Sequence, residues 1–146
     1  MSLPFHADAV TCSQCDGTLV RFAVPDAVRE HAPEEASVAA ICVDCLDVTS
    51  ADGAGERSEL QPAFDRIDET FPAGEGGAAL ALLIGTLPSV TMRKESARAL
   101  RAHAERRGVD THLAFDRLIA ASDAGTLDPA FDLSRRVRGF ESLVDP

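Results

Sequence analysis

Thr11-Cys12-Ser-Gln-Cys15-Asp-Gly17-Thr18 and Ile41-Cys42-Val-Asp-Cys45-Leu46 are the two stretches on which the fold of this chain turns. They hold all four cysteines, as two Cys-x-x-Cys pairs with 26 residues between them. A two-residue gap lets both sulfurs of one turn face the same ion. A second such turn completes a tetrahedron with metal–sulfur bonds of about 2.3 Å. The spacing is a strong zinc signal, so Cys12, Cys15, Cys42 and Cys45 are expected to hold one Zn2+ in a zinc ribbon. Gly17 is expected to supply a positive φ that turns amide N–H groups toward sulfur. Cys42-Val-Asp-Cys45 has no such glycine and is expected to be the less regular turn. Iron in a rubredoxin-like site is an alternative, but the usual proline and aromatic surroundings are missing. A redox pair is another, but neither Cys-x-x-Cys opens a helix in a βαβ setting. Four thiolates close the coordination shell, whereas a catalytic zinc keeps a position for water, so the metal is expected to be structural.

Around the cysteines the chain reads as short antiparallel strands. Thr18 to Val24 is rich in β formers, Ser37 to Ile41 runs into Cys42, and Leu46 to Thr49 follows Cys45. Between the first two, Pro25 to Ala32 suits a short helix bounded by Pro33. Few large apolar residues are expected to form a core here (Leu19, Phe22, Val24, Val38 and Ile41), so a module of this size is expected to gain much of its stability from the metal. Ser50 to Gly55 is turn-rich.

The remainder reads as helices. Leu60, Phe64, Ile67 and Phe71 fall at i, i+4, i+7, i+11, which predicts a helix ended by Pro72 and Gly74, with either Ser58 and Gln61 as a capping box or Pro62 in its first turn. Gly74-Glu-Gly-Gly77 reads as a loop leading into Ala78 to Leu87. That segment is apolar on all sides and is expected to be a buried central helix or an oligomer contact, with Leu80 to Ile84 at its heart. Further helices are predicted from Met92 to Arg107, capped by Thr91 and facing inward with Ala97, Leu100 and Ala104; after Asp110, with Leu113, Leu118 and Ile119 inward and Phe115 at the edge; and after Asp132, with Leu133, Val137, Phe140 and Val144 inward. The expected fold class is α+β: a zinc ribbon module over residues 1–50, a linker over 51–57, and an all-α helical domain over 58–146.

Composition narrows the function classes. Of 146 residues, 24 are acidic and 14 basic, giving a formal charge of −10; Lys94 is the single lysine, and Trp and Tyr are absent. An acidic, lysine-poor surface stays hydrated in concentrated salt, where screening relieves its self-repulsion. The cytoplasm of a salt-loving organism is the expected setting, with an ordinary acidic cytosolic protein as the alternative. The start of the chain lacks the basic region and apolar run of a signal peptide, and no segment approaches the length needed to span a bilayer.

No Walker loop, Gly-x-Ser-x-Gly or His-Glu-x-x-His motif occurs. His6, His31, His103 and His112 are isolated and are not expected to be ligands or bases. From Arg93 to Arg107 there are six bases and two acids, with Lys94, Arg98 and Arg101 on one face. A solvated face, or an anion or partner contact, is expected there rather than a groove-reading helix, because the next helix offers only Arg117 beside Asp116. Residues 1–57 hold ten acids against three bases, a poor surface for phosphate.

The knuckle Cys12/Cys15 leading into Leu19-Val-Arg-Phe-Ala-Val-Pro25, then Ala39-Ala-Ile-Cys-Val-Asp-Cys45, then Ala79 to Ser89, resembles a family of small haloarchaeal proteins of unknown function. The resemblance implies an N-terminal zinc ribbon before a helical tail and carries no activity. The expected role is a protein-binding or regulatory module with another protein as partner. A homodimer is a further option, nucleic-acid binding is the runner-up, and an enzyme with residues drawn from distant positions is the third class.

Overall fold

The computed structural model describes residues 11–51 and 60–144. His6, Ser58 and all of the expected linker except Ala51 lie outside them. Three strands form one antiparallel sheet in the order β1 (Leu19–Ala23), β2 (Val38–Cys42), β3 (Val48–Ser50). Among the described residues four α-helices follow: α1 (Gly74–Thr86), α2 (Lys94–Arg106), α3 (Thr111–Asp123) and α4 (Leu133–Val144). The sheet-then-helices architecture is the one read from the sequence.

β2 is the central strand and all five of its residues are buried, which is why it can be built from Val38, Ala39, Ala40, Ile41 and Cys42 without a polar face. On β1 only Val20 and Phe22 turn inward, the alternation of a strand with one wet face. Phe22 pairs with Ala39 and Val20 with Ile41 across the β1–β2 ladder. The sheet does not stop at its own residues. The ring of Phe22 packs at a tilt on Phe64 with centroids 5.5 Å apart, and Phe64 likewise on Phe71 at 5.2 Å. Val20, Phe22, Ile41 and Leu46 belong to the same apolar core as Leu80, Leu83 and Ile84 of α1 and Leu100 of α2.

α1 is the axis of that core. From Gly76 to Ile84 every side is covered, so the apolar segment finds its cover within one chain. Pro88 ends the helix as expected, in a 3-10 turn over Leu87–Ser89. α4 buries Leu133, Val137 and Phe140, and Asp132 Oδ1 accepts from Arg135 N at 3.1 Å. Asp110 caps α3 by accepting from Leu113 N at 2.9 Å.

Several expectations are corrected. Residues 60–71 are not an α-helix. Phe64, Ile67 and Phe71 are buried as the stripe requires, but the backbone holds them with a 3-10 turn (Phe64–Arg66) and single i→i+3 bonds from Ile67 N to Phe64 O and Phe71 N to Asp68 O. Pro62 supplies no donor, and Asp68 draws Thr70 into a local side-chain turn that competes with helix. The short helix expected between Pro25 and Ala32 is present, as a 3-10 helix over Asp26–His31. Gly74 to Gly77 is the first turn of α1, not a loop before it. A β-carbon on Gly77 would stand 2.1 Å from the carbonyl oxygen of Pro72, so only glycine lets the incoming chain pass so close to the helix. Thr91 does not cap α2, because Met92 and Arg93 still bond back to Ser89 and the helix begins at Lys94. On α3 the roles of two residues are exchanged. Leu113 is 45% exposed, whereas Phe115 is buried edge-on against Phe140 at 5.9 Å.

Candidate metal centre

Each cysteine pair sits in a tight turn, and the two turns are built alike. In the first, Cys12 N donates to Gly17 O (2.7 Å), Asp16 N to Cys12 O (2.9 Å) and Gln14 N to Cys12 Sγ (3.3 Å). In the second, Cys42 N donates to Asp47 O (2.9 Å), Leu46 N to Cys42 O (3.1 Å) and Asp44 N to Cys42 Sγ (3.4 Å). The flanking pairs correspond too: Thr11 bridges Thr18, and Ile41 pairs with Val48. The residue after the second cysteine takes a left-handed backbone in both turns, Asp16 at φ 66° and Leu46 at φ 65°.

This corrects the reading of Gly17. The positive φ falls one place earlier, on Asp16, and the turn without glycine is as regular as the other. Gly17 is required for space. A β-carbon there would lie 2.5 Å from Asp44 Oδ2, 3.0 Å from Cys42 Sγ and 3.2 Å from Cys15 Sγ. The two turns meet face to face across this point, and Val43 N also donates to Thr18 O at 2.9 Å.

The four sulfurs converge. Cys12 Sγ lies 3.6 Å from Cys45 Sγ and Cys15 Sγ lies 3.5 Å from Cys42 Sγ, and all four are within 4.8 Å of one another. A tetrahedron with bonds of about 2.3 Å has edges of roughly 3.8 Å, so the cluster has the size of a four-sulfur metal site. A disulfide would need about 2.05 Å, and the cysteines are free. Cys12, Cys42 and Cys45 are buried and Cys15 is exposed. Burial pushes the Cys42 and Cys45 thiols up. At Cys12 burial also acts upward, but backbone N–H groups of Gln14 and Cys15 outweigh it and bring the thiol down. Crowded thiols with amide donors around them are a potential metal site in which a cation replaces the protons. Among the described residues no other group of His, Cys, Asp and Glu converges in this way.

The histidines lie elsewhere. His31 Nδ1 is 2.9 Å from Ser96 Oγ; buried His103 faces Glu75 at 3.4 Å; His112 bridges α3 and α4 through Glu141 at 2.9 Å, which with Asp116 holds its proton to higher pH. Among the described residues, four of the six bases from Arg93 to Arg107 have internal partners. Arg98 reaches Glu95 (3.3 Å) and the Leu143 carbonyl (3.1 Å), Arg101 reaches Glu105 (3.0 Å), Arg107 reaches Glu75 (2.8 Å), and Arg93 donates to His31 O (2.8 Å). Arg93, Arg98 and Arg107 tie α2 and its ends to neighbouring elements, while Arg101 pairs within the helix.

One part of the site has no local signal in the sequence. The segment between α3 and α4 lies against the second cysteine turn, with Asp128 N donating to Asp44 O (2.9 Å) and Ala130 N to Cys45 O (3.1 Å). These are backbone contacts over more than 80 residues, which no side-chain pattern announces. No helix among the described residues is long and apolar enough to cross a membrane.

No curated protein and no solved structure matches the chain. A family model does, from residue 11 to residue 144, a span that takes in both cysteine turns, the sheet and all four helices. The chain therefore belongs to the family of unknown function DUF6276.

Proposed function

We propose that this protein is a non-catalytic zinc-ribbon module in which Cys12, Cys15, Cys42 and Cys45 hold one structural Zn2+, and that it acts by binding another protein. The observation that carries the reading is the convergence of four sulfurs from two like turns, with sulfur–sulfur distances of 3.5 and 3.6 Å at the facing corners. Four thiolates suit zinc and leave it no open position for water or substrate. With ten acids against three bases in residues 1–57, a protein surface is a better partner for the ribbon than a phosphate backbone. Free thiols suit a reducing cytoplasm, and the acidic, lysine-poor composition suits one rich in salt.

Elemental analysis of the chain purified without added metal tests the site. One zinc per chain is expected, with loss of metal in Cys12→Ser and Cys45→Ser. Iron in its place, or two disulfides and no metal, would overturn the zinc assignment. Crosslinking in intact cells tests the partner class: recovery of nucleic acid in place of protein would overturn the second half of the reading.

A further inference from the structure

Beside the cysteine turns lies a slot of about 250 Å³. Leu46, Val48, Pro88 and Phe131 form its apolar walls, and Gln14 and Asp47 its polar edge. It is assembled from four separate stretches: the two cysteine turns, the end of α1, and the segment between α3 and α4 that is pinned to Asp44 O and Cys45 O. Phe131 is partly buried and packs against the main core, so one wall of the slot is anchored in the rest of the molecule. An apolar cavity of about 150 Å³ already holds a benzene-sized molecule, so this slot has room for one Leu or Phe side chain.

Asp47 is the one charged residue that lines the slot. Residues 12–17, 42–51, 84–90 and 124–133 contain five acids (Asp16, Asp44, Asp47, Asp128 and Asp132) and neither lysine nor arginine. Asp132 caps α4, but Asp16, Asp44, Asp47 and Asp128 take part in no ion pair among the described residues. The helices handle their acids differently: Glu75, Glu95, Glu105 and Glu141 each have a basic partner. A carboxylate on the edge of the slot, with Asp16, Asp44 and Asp128 in the stretches that build it, selects against acidic ligands and draws in basic ones.

We propose that this slot is a docking site for a protein segment carrying one apolar side chain, seated between Leu46, Val48, Pro88 and Phe131, flanked by Lys or Arg that face Asp16, Asp44, Asp47 and Asp128. The proposal rests on the protein-binding reading above and names the face and the chemistry of the partner. The metal holds the two turns that form half of the slot, which gives a structural metal a role in recognition. Phe131 is the expected anchor of affinity, since aromatic side chains in a desolvated pocket carry a large share of binding energy. The carboxylates set selectivity and the rate of encounter.

The test uses the full zinc-loaded chain and three labelled hexapeptides: Leu-Phe flanked by two arginines on each side, Leu-Phe flanked by two glutamates on each side, and Gly-Gly flanked by two arginines on each side. Fluorescence anisotropy reads affinity and amide chemical shifts read the face. The arginine-flanked Leu-Phe peptide is expected to bind, shifting Leu46, Val48 and Phe131, while the other two bind about tenfold more weakly or worse. Phe131→Ala and the pair Asp47→Asn with Asp128→Asn are each expected to weaken it about tenfold, and Glu95→Gln to leave it unchanged. Ala130→Phe fills the slot from its exposed rim and gives the same loss without removing a core contact. Equal binding of all basic peptides, or no binding at millimolar concentration, would overturn the slot. Binding that shifts another face would overturn the slot and leave the protein-binding reading standing; zinc content measured on the same sample reports on the metal separately. A concentration-dependent dimer lost in Phe131→Ala would place a second copy in the slot and overturn the assigned partner.

Discussion

Gly17 shows how one residue without a side chain can decide whether a metal site closes. Of the three atoms its β-carbon would meet, Asp44 Oδ2 is the tip of a side chain that can swing away. Cys42 Sγ and Cys15 Sγ, at 3.0 and 3.2 Å, cannot move without changing the sulfur cluster. Gly17→Ala is therefore expected to lower zinc affinity by about 10–100-fold, the range for changes that disturb ligand orientation, while leaving helix content intact. Competition with a chromophoric chelator measures it; an unchanged affinity would show that the turns have slack. The thiols carry a second prediction. Burial raises Cys42 and Cys45, so near neutral pH they keep protons until a metal displaces them. Zinc binding should release protons into a weak buffer, and affinity should fall as pH drops, because protons compete for the same sulfurs. A flat affinity between neutral and mildly acidic pH would contradict a thiolate site.

At the scale of elements, propensity and packing make opposite statements about glycine in a helix, and the structure says which wins at each place. Gly77 in α1 faces the Pro72 carbonyl at 2.1 Å from its would-be β-carbon, so Gly77→Ala should destabilise by about 1–3 kcal/mol despite the better helix former. Gly139 in α4 has nothing within 4 Å, so Gly139→Ala should stabilise by about 0.5–1 kcal/mol through propensity alone. Denaturant melts of the two variants should move in opposite directions. Asp110→Ala removes the cap on Leu113 N and should cost about 1 kcal/mol. The same contrast explains what was legible in the sequence. Asp132 with Leu133, Val137 and Phe140 gave cap and stripe together, and α4 is where the pattern placed it. Leu60, Phe64, Ile67 and Phe71 carry the same spacing, yet periodicity reports only which side chains face the core. Pro62 and the Asp68–Thr70 turn decide the backbone, and three buried apolar residues need no α-helix to reach inward. The cysteine spacing was readable because metal geometry constrains it locally. The backbone bonds from Asp128 and Ala130 to the second turn were not, since nothing in either segment encodes the other.

For the whole molecule the question is how far the influence of the proposed metal would reach. A ribbon folding by itself would lose structure on chelation and leave the helices untouched. The packing argues for a wider effect. Gly85 of α1 lies so close to Val48 of β3 that a β-carbon would stand 2.9 Å from it, Phe22 packs on Phe64, and the second cysteine turn holds the segment between α3 and α4 through two backbone bonds. Val20, Phe22, Ile41 and Leu46 share the apolar core with α1, so releasing the turns also loosens one wall of that core. Removing zinc should therefore lower the melting temperature of the entire chain in a single transition, with the helical signal and the sheet signal falling together. The absence of Trp and Tyr leaves far-UV circular dichroism and amide hydrogen exchange as the probes. Exchange gives the sharper answer: after chelation the amides of Leu80 to Ile84 in α1 should lose protection along with those of Val38 to Cys42 in β2. Sustained protection of α1 with complete loss in β2 would show two separable folding units, with the ribbon over residues 1–50 standing on its own metal and the helices over 58–146 on their own core.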